Sequence, residues 1–494
     1  EIQLDAQAAL PLYRQLYRQI RERILCGGLS AGDRLPATRD LAQQLELNRA
    51  TVSSAYALLE EEGLIRGHVG RGSFVADPID RHSAYPPGTS AVSGGFVPQT
   101  GFVSQNAGSP GSAEISFATS RPRSGLFPLD QFRLSCEEVL ATELAHTVLQ
   151  LGSPLGYAPL RQYLLEDAEE RQIGRANDDI LITNGCQQAM DLLARAVLTP
   201  EDTVLVEEPI YPGLKSALAQ AQVRLVSVPV GEQGVTAEDF SRLMESERPR
   251  MAVLTPSFQN PTGATIPLDA RRAMLEAAAR AGVLLVENDL YSALRYRGDA
   301  VPAFKSLRGA DDVVLLGSFS KVAFPGLRVG WVIAPRPLIR RLAEIKQATD
   351  LHTDQLSQAV LLRFAESGRL AAHLRSVRKA GLAQLEAAID GCSRFLPAGS
   401  RFTKPDGGLN LWVRLPAPLD AGALLAAAQS RGVNYLPARY FAVNRLDESA
   451  FRLSFGGLTP LEIERGLQLL GEVFEEELAR GARPGAAEME TAMV

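Results

Sequence analysis

Ser318-Phe319-Ser320-Lys321, with Gly326-Leu327-Arg328 a few residues on, is the stretch that decides how the rest of the chain is read. It sets a lysine amine beside two hydroxyls and a guanidinium. Such an amine can condense with an aldehyde, while the hydroxyls and the guanidinium suit the oxygens of a phosphate monoester. Alone, the stretch equally describes a strand-end loop with a surface lysine. Upstream, however, stand Asn260-Pro261-Thr262-Gly263 and Asn288-Asp289-Leu290-Tyr291. Their order and setting meet the needs of pyridoxal phosphate, which is both an aldehyde and a phosphate ester.

Each residue has a chemical task in that reading. Lys321 is the candidate Schiff-base lysine. Asp289 follows the apolar run Val283 to Val286, so its carboxylate can face a pyridinium nitrogen and favour its protonated form. Asn260 and Tyr291 can both donate to the ring's phenolate oxygen. Tyr211, within Glu208-Pro209-Ile210-Tyr211-Pro212-Gly213, is placed to stack on the ring face. A phosphate needs donors at a helix N-terminus, and Asn184-Gly185-Cys186-Gln187 follows an apolar run and opens a helical pattern. Gly185 lets the backbone come close, the N–H groups of Cys186 and Gln187 point at the anion, and Ser318, Ser320 and Arg328 complete the cradle.

The 494-residue length calls for more than one domain, and 46% hydrophobic with 22% charged residues is the make-up of a globular protein. A net charge of -6 means that any nucleic-acid surface must be a local patch. Cys26, Cys136, Cys186 and Cys392 show no paired spacing and the histidines no cluster, which predicts reduced thiols and no metal site. No apolar run is long enough to span a bilayer, and the arginine-rich N-terminus is not a signal peptide, so a cytoplasmic protein is expected. Glu1 in first place implies a removed initiator methionine.

Composition divides the chain. Residues 10–77 are compact and helical in period. Residues 78–114, rich in Pro, Gly, Ser and Thr, read as a flexible linker, and 480–494 as a disordered tail. Between them, residues 115–479 alternate helical patterns with apolar strands at 180–183, 204–206, 251–254, 283–286 and 313–316. That pattern predicts an α/β domain with a mostly parallel sheet covered on both faces.

Within the first region, Leu12, Leu16, Ile20 and Ile24 mark one helix. Leu35-Pro36-Ala37-Thr38-Arg39 opens a second, with Thr38 as the expected N-cap and Leu41 and Leu45 inward. Arg49-Ala50-Thr51-Val52 opens a third, with Val52, Tyr56 and Leu59 inward. Residues 64–67 and 72–75 pair around a tip at Val69-Gly70-Arg71. The second and third helices make a helix-turn-helix, the third being the groove reader, and the strands make a wing.

This region resembles the winged helix-turn-helix of the GntR regulators through its Leu35–Arg39, Arg49–Val52, Gly63-Leu64-Ile65 and glycine-rich wing motifs. The resemblance implies double-stranded operator DNA as partner, with Arg39, Arg49 and Thr51 at bases or phosphates and Gly70 and Arg71 in the minor groove. From Ile115 onward the chain resembles fold-type I aminotransferases. In them an arginine late in the chain clamps the substrate α-carboxylate, and here Arg452 stands in that place. A head and body of this kind, joined by a linker, resemble the MocR-type regulators. The likeness implies a homodimer, with each head over the partner's body, that responds to pyridoxal phosphate or to an amino acid or amine joined to it as an aldimine. Lys215 stands near where some members keep an arginine for the effector carboxylate.

The chain departs from the aminotransferase pattern at Phe117-Ala118-Thr119-Ser120-Arg121-Pro122-Arg123, where Ser120 replaces a glycine and Arg123 an acid. These departures argue against efficient transamination, and the chain is expected to be a transcription regulator rather than an enzyme, with at most a weak residual aminotransferase half-reaction. The alternatives are a working aminotransferase with a DNA-binding head, and a regulator whose body no longer binds cofactor.

Overall fold

The structure, a computed structural model, describes residues 4, 11–25, 29, 33–45, 47–61, 64–68, 72–75 and 115–481. The chain divides into two compact units, residues 1–101 and 102–494.

In the first unit, α1 (Leu12–Leu25), α2 (Thr38–Gln44) and α3 (Arg49–Glu61) precede β1 (Ile65–His68) and β2 (Gly72–Val75). Leu16 and Ile20 of α1, Leu41 and Ala42 of α2, and Val52, Ala55, Tyr56 and Leu59 of α3 close one core, completed by Ile65 and Val75. The Tyr56 hydroxyl donates to Pro36 O at 2.8 Å and ties α3 to the start of α2. The strands pair antiparallel, with Ile65 opposite Val75 and His68 opposite Gly72. Thr38 is not the N-cap of α2. Ala37 holds that position without a side-chain cap, its carbonyl already accepting from Asp40 N and Leu41 N at 2.9 Å each. Asn48 plays that part for α3, its Oδ1 accepting from Ala50 N at 2.9 Å. Gly70 and Arg71 at the wing tip lie outside the described residues, as do the linker and nearly all of the expected tail.

In the second unit, an eight-stranded sheet runs in the order 178–183, 330–335, 314–318, 284–288, 251–254, 203–208, 224–231, 234–235. All strands are parallel except Gly330–Pro335 and Gly234–Val235. The central strands are apolar throughout because both faces are covered. Leu181, Val204, Val253, Val286 and Leu316 pack with helix Gly185–Val197 on one side. Leu205, Ala252, Leu254 and Leu285 pack with helix Leu268–Ala281 on the other. A smaller antiparallel sheet, in the order 401–402, 410–414, 450–454, 436–437, packs on helices Arg369–Phe395 and Pro460–Gly481. The last helix extends past residue 479, so the first residues of the expected tail are helical. Among the described residues no helix is long and apolar enough to cross a membrane, and no cluster could hold a metal ion.

Candidate cofactor site and nucleic-acid interface

The C-terminal ends of the parallel strands bring most of the expected residues to one place, as open α/β sheets do. Strand Val314–Ser318 ends in the 3₁₀ turn Phe319–Lys321. The Ser318 Oγ accepts from Ser320 N at 3.0 Å, which tightens the turn and aims Lys321 inward. The Lys321 Nζ donates to Ser120 O at 2.6 Å and lies 5.8 Å from the centre of the Tyr291 ring. Burial lowers the lysine's pKa; Tyr211 opposes this and Arg452 and Arg328 add to it. A lysine so depressed is more often neutral, the form that attacks an aldehyde.

Asn260, Tyr291 and Arg452 form a buried chain beside it. Asn260 Nδ2 donates to the Tyr291 hydroxyl at 3.3 Å, and Asn260 Oδ1 accepts from Arg452 Nη1 at 2.9 Å. Arg452 Nη2 donates to Ala118 O. Burial brings the Arg452 guanidinium down to about 10, with Tyr291 and Tyr211 opposing, and burial raises the Tyr291 phenol. Asp289, next after strand Leu284–Asn288, is held from one side. Ser292 Oγ and Ser292 N donate to its two oxygens at 2.8 and 3.3 Å, and Arg171 Nη2 stands 3.9 Å away.

The cradle lies at the start of helix Gly185–Val197. Gly185 has φ +74°, and an added Cβ there would collide with the Arg328 guanidinium. Glycine alone lets that guanidinium sit against the helix N-terminus. Arg328 Nη1 also donates to Ser320 Oγ at 3.3 Å, so the two ends of the cradle touch. The Cys186 thiol donates to Gly317 O at 3.3 Å, and burial pushes it up to about 12, so it brings no negative charge to an anion site. Gln187 Nε2 donates to Gly213 O at 2.7 Å and ties the cradle to the helix that Tyr211 precedes. Lys215, on that helix, donates to Ala442 O at 2.7 Å, so its ammonium faces the loop 438–445; burial lowers its pKa, with Glu208 opposing.

Four contacts were not read from the sequence: the carbonyls of Ala118 and Ser120, and Ser292 and Arg171 at Asp289. The Asp289-x-x-Ser292 spacing of a side-chain-to-backbone turn would have signalled the third. The carbonyls carry no sequence signal.

In the head, Arg39 and Arg49 are exposed in the first turns of α2 and α3, and Thr51 is half-buried in the first turn of α3. The positive end of each helix dipole lies at these starts and favours phosphate there.

Residues 12–75 match the bacterial regulatory proteins of the gntR family, and residues 124–470 match aminotransferase class I and II. The chain is 31% identical to the probable rhizopine catabolism regulatory protein MocR of Rhizobium meliloti over 97% of both chains. It is 34% identical to 2-aminoadipate transaminase of Thermus thermophilus, over 74% of this chain and 91% of that one. Among solved structures, LysN, the alpha-aminoadipate aminotransferase of Thermus thermophilus complexed with N-(5'-phosphopyridoxyl)-L-leucine, superposes with TM-score 0.71 at 33% identity. That match covers 76% of this chain and 97% of LysN. The cradle and the lysine fit the same group, so the body is a pyridoxal-phosphate domain. With the gntR-type head at its start, the chain belongs to the MocR-type subfamily of GntR regulators.

Proposed function

We propose that this chain is a cytoplasmic transcription regulator that binds operator DNA through its head and senses, in its body, pyridoxal phosphate or an amino acid or amine bound at it. The observation that carries this reading is that one chain holds two sets of candidate site residues. One is the pair of exposed arginines at adjoining helix starts, and the other is the Lys321–Asn260–Tyr291–Arg452 cluster. The full-length likeness to a regulator supports it, whereas the likeness to transaminases stops short of the head.

When bound, pyridoxal phosphate supplies an aldehyde and an electron-withdrawing ring. Lys321 would carry the aldehyde, Asp289 would face the ring nitrogen, and Asn260 and Tyr291 the ring oxygen. Tyr211 would cover the ring. Gly185, Cys186, Gln187, Ser318, Ser320 and Arg328 would hold the phosphate, and Arg452 the carboxylate of an amino-acid ligand, with Lys215 as a second cation near it. Arg39, Arg49 and Thr51, with Gly70 and Arg71 of the wing, would meet DNA. Two chains would assemble, placing two heads on two half-sites.

The test pairs two measurements on purified protein: retention of DNA from upstream of its own gene, and turnover of an amino donor with a keto acceptor. Specific retention without turnover is expected. The Lys321 cluster favours one second reading, a working aminotransferase with a DNA-binding head, which rapid turnover without specific retention would establish.

A further inference from the structure

Strand Asn410–Arg414 pairs antiparallel with Ala450–Ser454, setting Asn410 opposite Ser454 and Trp412 opposite Arg452. Opposed residues and alternate residues of a pleated sheet share a face. Asn410, Trp412, Arg452 and Ser454 therefore project from one side. The other side sends Leu411, Val413, Phe451 and Leu453 into the helix-backed core. From the first side Arg452 reaches Asn260 and Ala118. Asn410 also abuts the turn that carries Asn260, since a Cβ on Gly263 would lie 2.7 Å from Asn410 O.

Asn410 is 1% exposed, and among the described residues neither its Oδ1 nor its Nδ2 has a hydrogen-bond partner. The neighbouring Arg452 Nε is likewise buried and unpartnered. Ser454 offers no relief, because its hydroxyl donates to Leu409 O at 3.2 Å. A sealed carboxamide with both ends unsatisfied is disfavoured in a folded protein, and an apolar side chain of the same branching, such as leucine, would leave no polar atom unsatisfied. Groups kept against stability in this way mark ligand sites.

The chemistry of the unpaired atoms narrows the ligand. A carboxylate only accepts, so it satisfies Arg452 Nε and Asn410 Nδ2 but leaves Asn410 Oδ1 without a donor. A hydroxyl or a carboxamide both donates and accepts. We propose that Asn410 is a specificity-determining residue that reads a hydroxyl or carboxamide on the ligand's side chain, beside the carboxylate held by Arg452. The effector class is then a polar, uncharged α-amino acid. This rests on the reading of the body as a ligand-sensing domain.

The test uses the full chain loaded with pyridoxal phosphate, titrated with L-threonine against its isostere L-valine and with L-asparagine against L-leucine. The change in the cofactor's visible spectrum reports binding. Threonine and asparagine are expected to bind at least about tenfold tighter than their apolar partners. Asn410→Leu should bring both ratios to near unity and raise the melting temperature of the cofactor-free protein. Equal affinities within each pair in the wild-type chain overturn the assignment, whatever the variant does. So does an Asn410→Leu variant that keeps the discrimination or melts lower. If amino acids shift the spectrum without such discrimination, the ligand-sensing reading stands and Asn410 has no part in it. If the purified chain takes up no cofactor, that reading fails and the inference with it.

Discussion

Lys321 Nζ and the carbonyl of Ser120 stand 2.6 Å apart although 201 residues separate them in sequence. The amine is thus held by a neutral acceptor, in surroundings that depress its pKa by burial. Among the described residues no carboxylate pairs with it to keep it charged.

Replacing this amine gives the first prediction. Lys321→Ala is expected to remove the visible absorption of the cofactor-loaded protein while leaving operator binding intact, since the head has its own core. Absorbance and gel retention on the same preparation check it. A variant that keeps a borohydride-sensitive band would move the role to another lysine.

In the head, Arg49→Ala is expected to weaken specific operator binding by about 1–3 kcal/mol if it reads a base edge, and cofactor content should not change. Arg39→Ala is the companion. Unchanged affinity in both variants at fixed salt would refute the helix-turn-helix as the reading surface.

Gly185→Ala tests the cradle. A left-handed backbone costs a residue with a Cβ about 1–2 kcal/mol, and the new methyl group must also displace Arg328. Cofactor affinity should fall at least about tenfold, as measured by equilibrium dialysis, with circular dichroism near that of the wild-type protein. Undiminished affinity would show that neither Gly185 nor its arginine neighbour holds phosphate.

Two buried glutamates set a pH dependence. Burial holds Glu207 up to about 8, against opposing hydrogen bonds from Thr255 and Gln259. Burial, with Asp289 adding, holds Glu287 up to about 7. Both carboxyls bind protons more tightly folded than unfolded. Their stabilisation is fully present below the ordinary carboxyl range and is lost as pH rises through about 7 and 8. The melting temperature of the cofactor-free body should therefore decline between about pH 5 and 8, and less steeply in Glu207→Gln. A flat or rising wild-type profile would contradict the burial of these groups.

Much of the site was legible because its side chains sit on short motifs at the ends of apolar strands. Lys321 follows Val314–Ser318, Asp289 follows Leu284–Asn288, and Gly185 follows Asp178–Thr183. An apolar run does not encode strand direction, however. That Gly330–Pro335 enters antiparallel between Asp178–Thr183 and Val314–Ser318 was not readable. Thr38 shows a second limit, because the preference of threonine for an N-cap yielded to the carbonyl of Ala37 closing the first turn. The carbonyls of Ala118 and Ser120 show a third, since a main-chain oxygen reads alike in every residue.

Those two oxygens have a mechanical consequence. Residues 115–117 are stitched to Gly432, Asn434 and Ser454 by main-chain hydrogen bonds of 2.9, 2.7 and 3.0 Å, and the next three residues receive Arg452 and Lys321. The stretch fastened in this way is the one that leads back along the chain toward the head. A molecule that competed for the lysine or the arginine would take from this stretch one of the side-chain hydrogen bonds that fasten it.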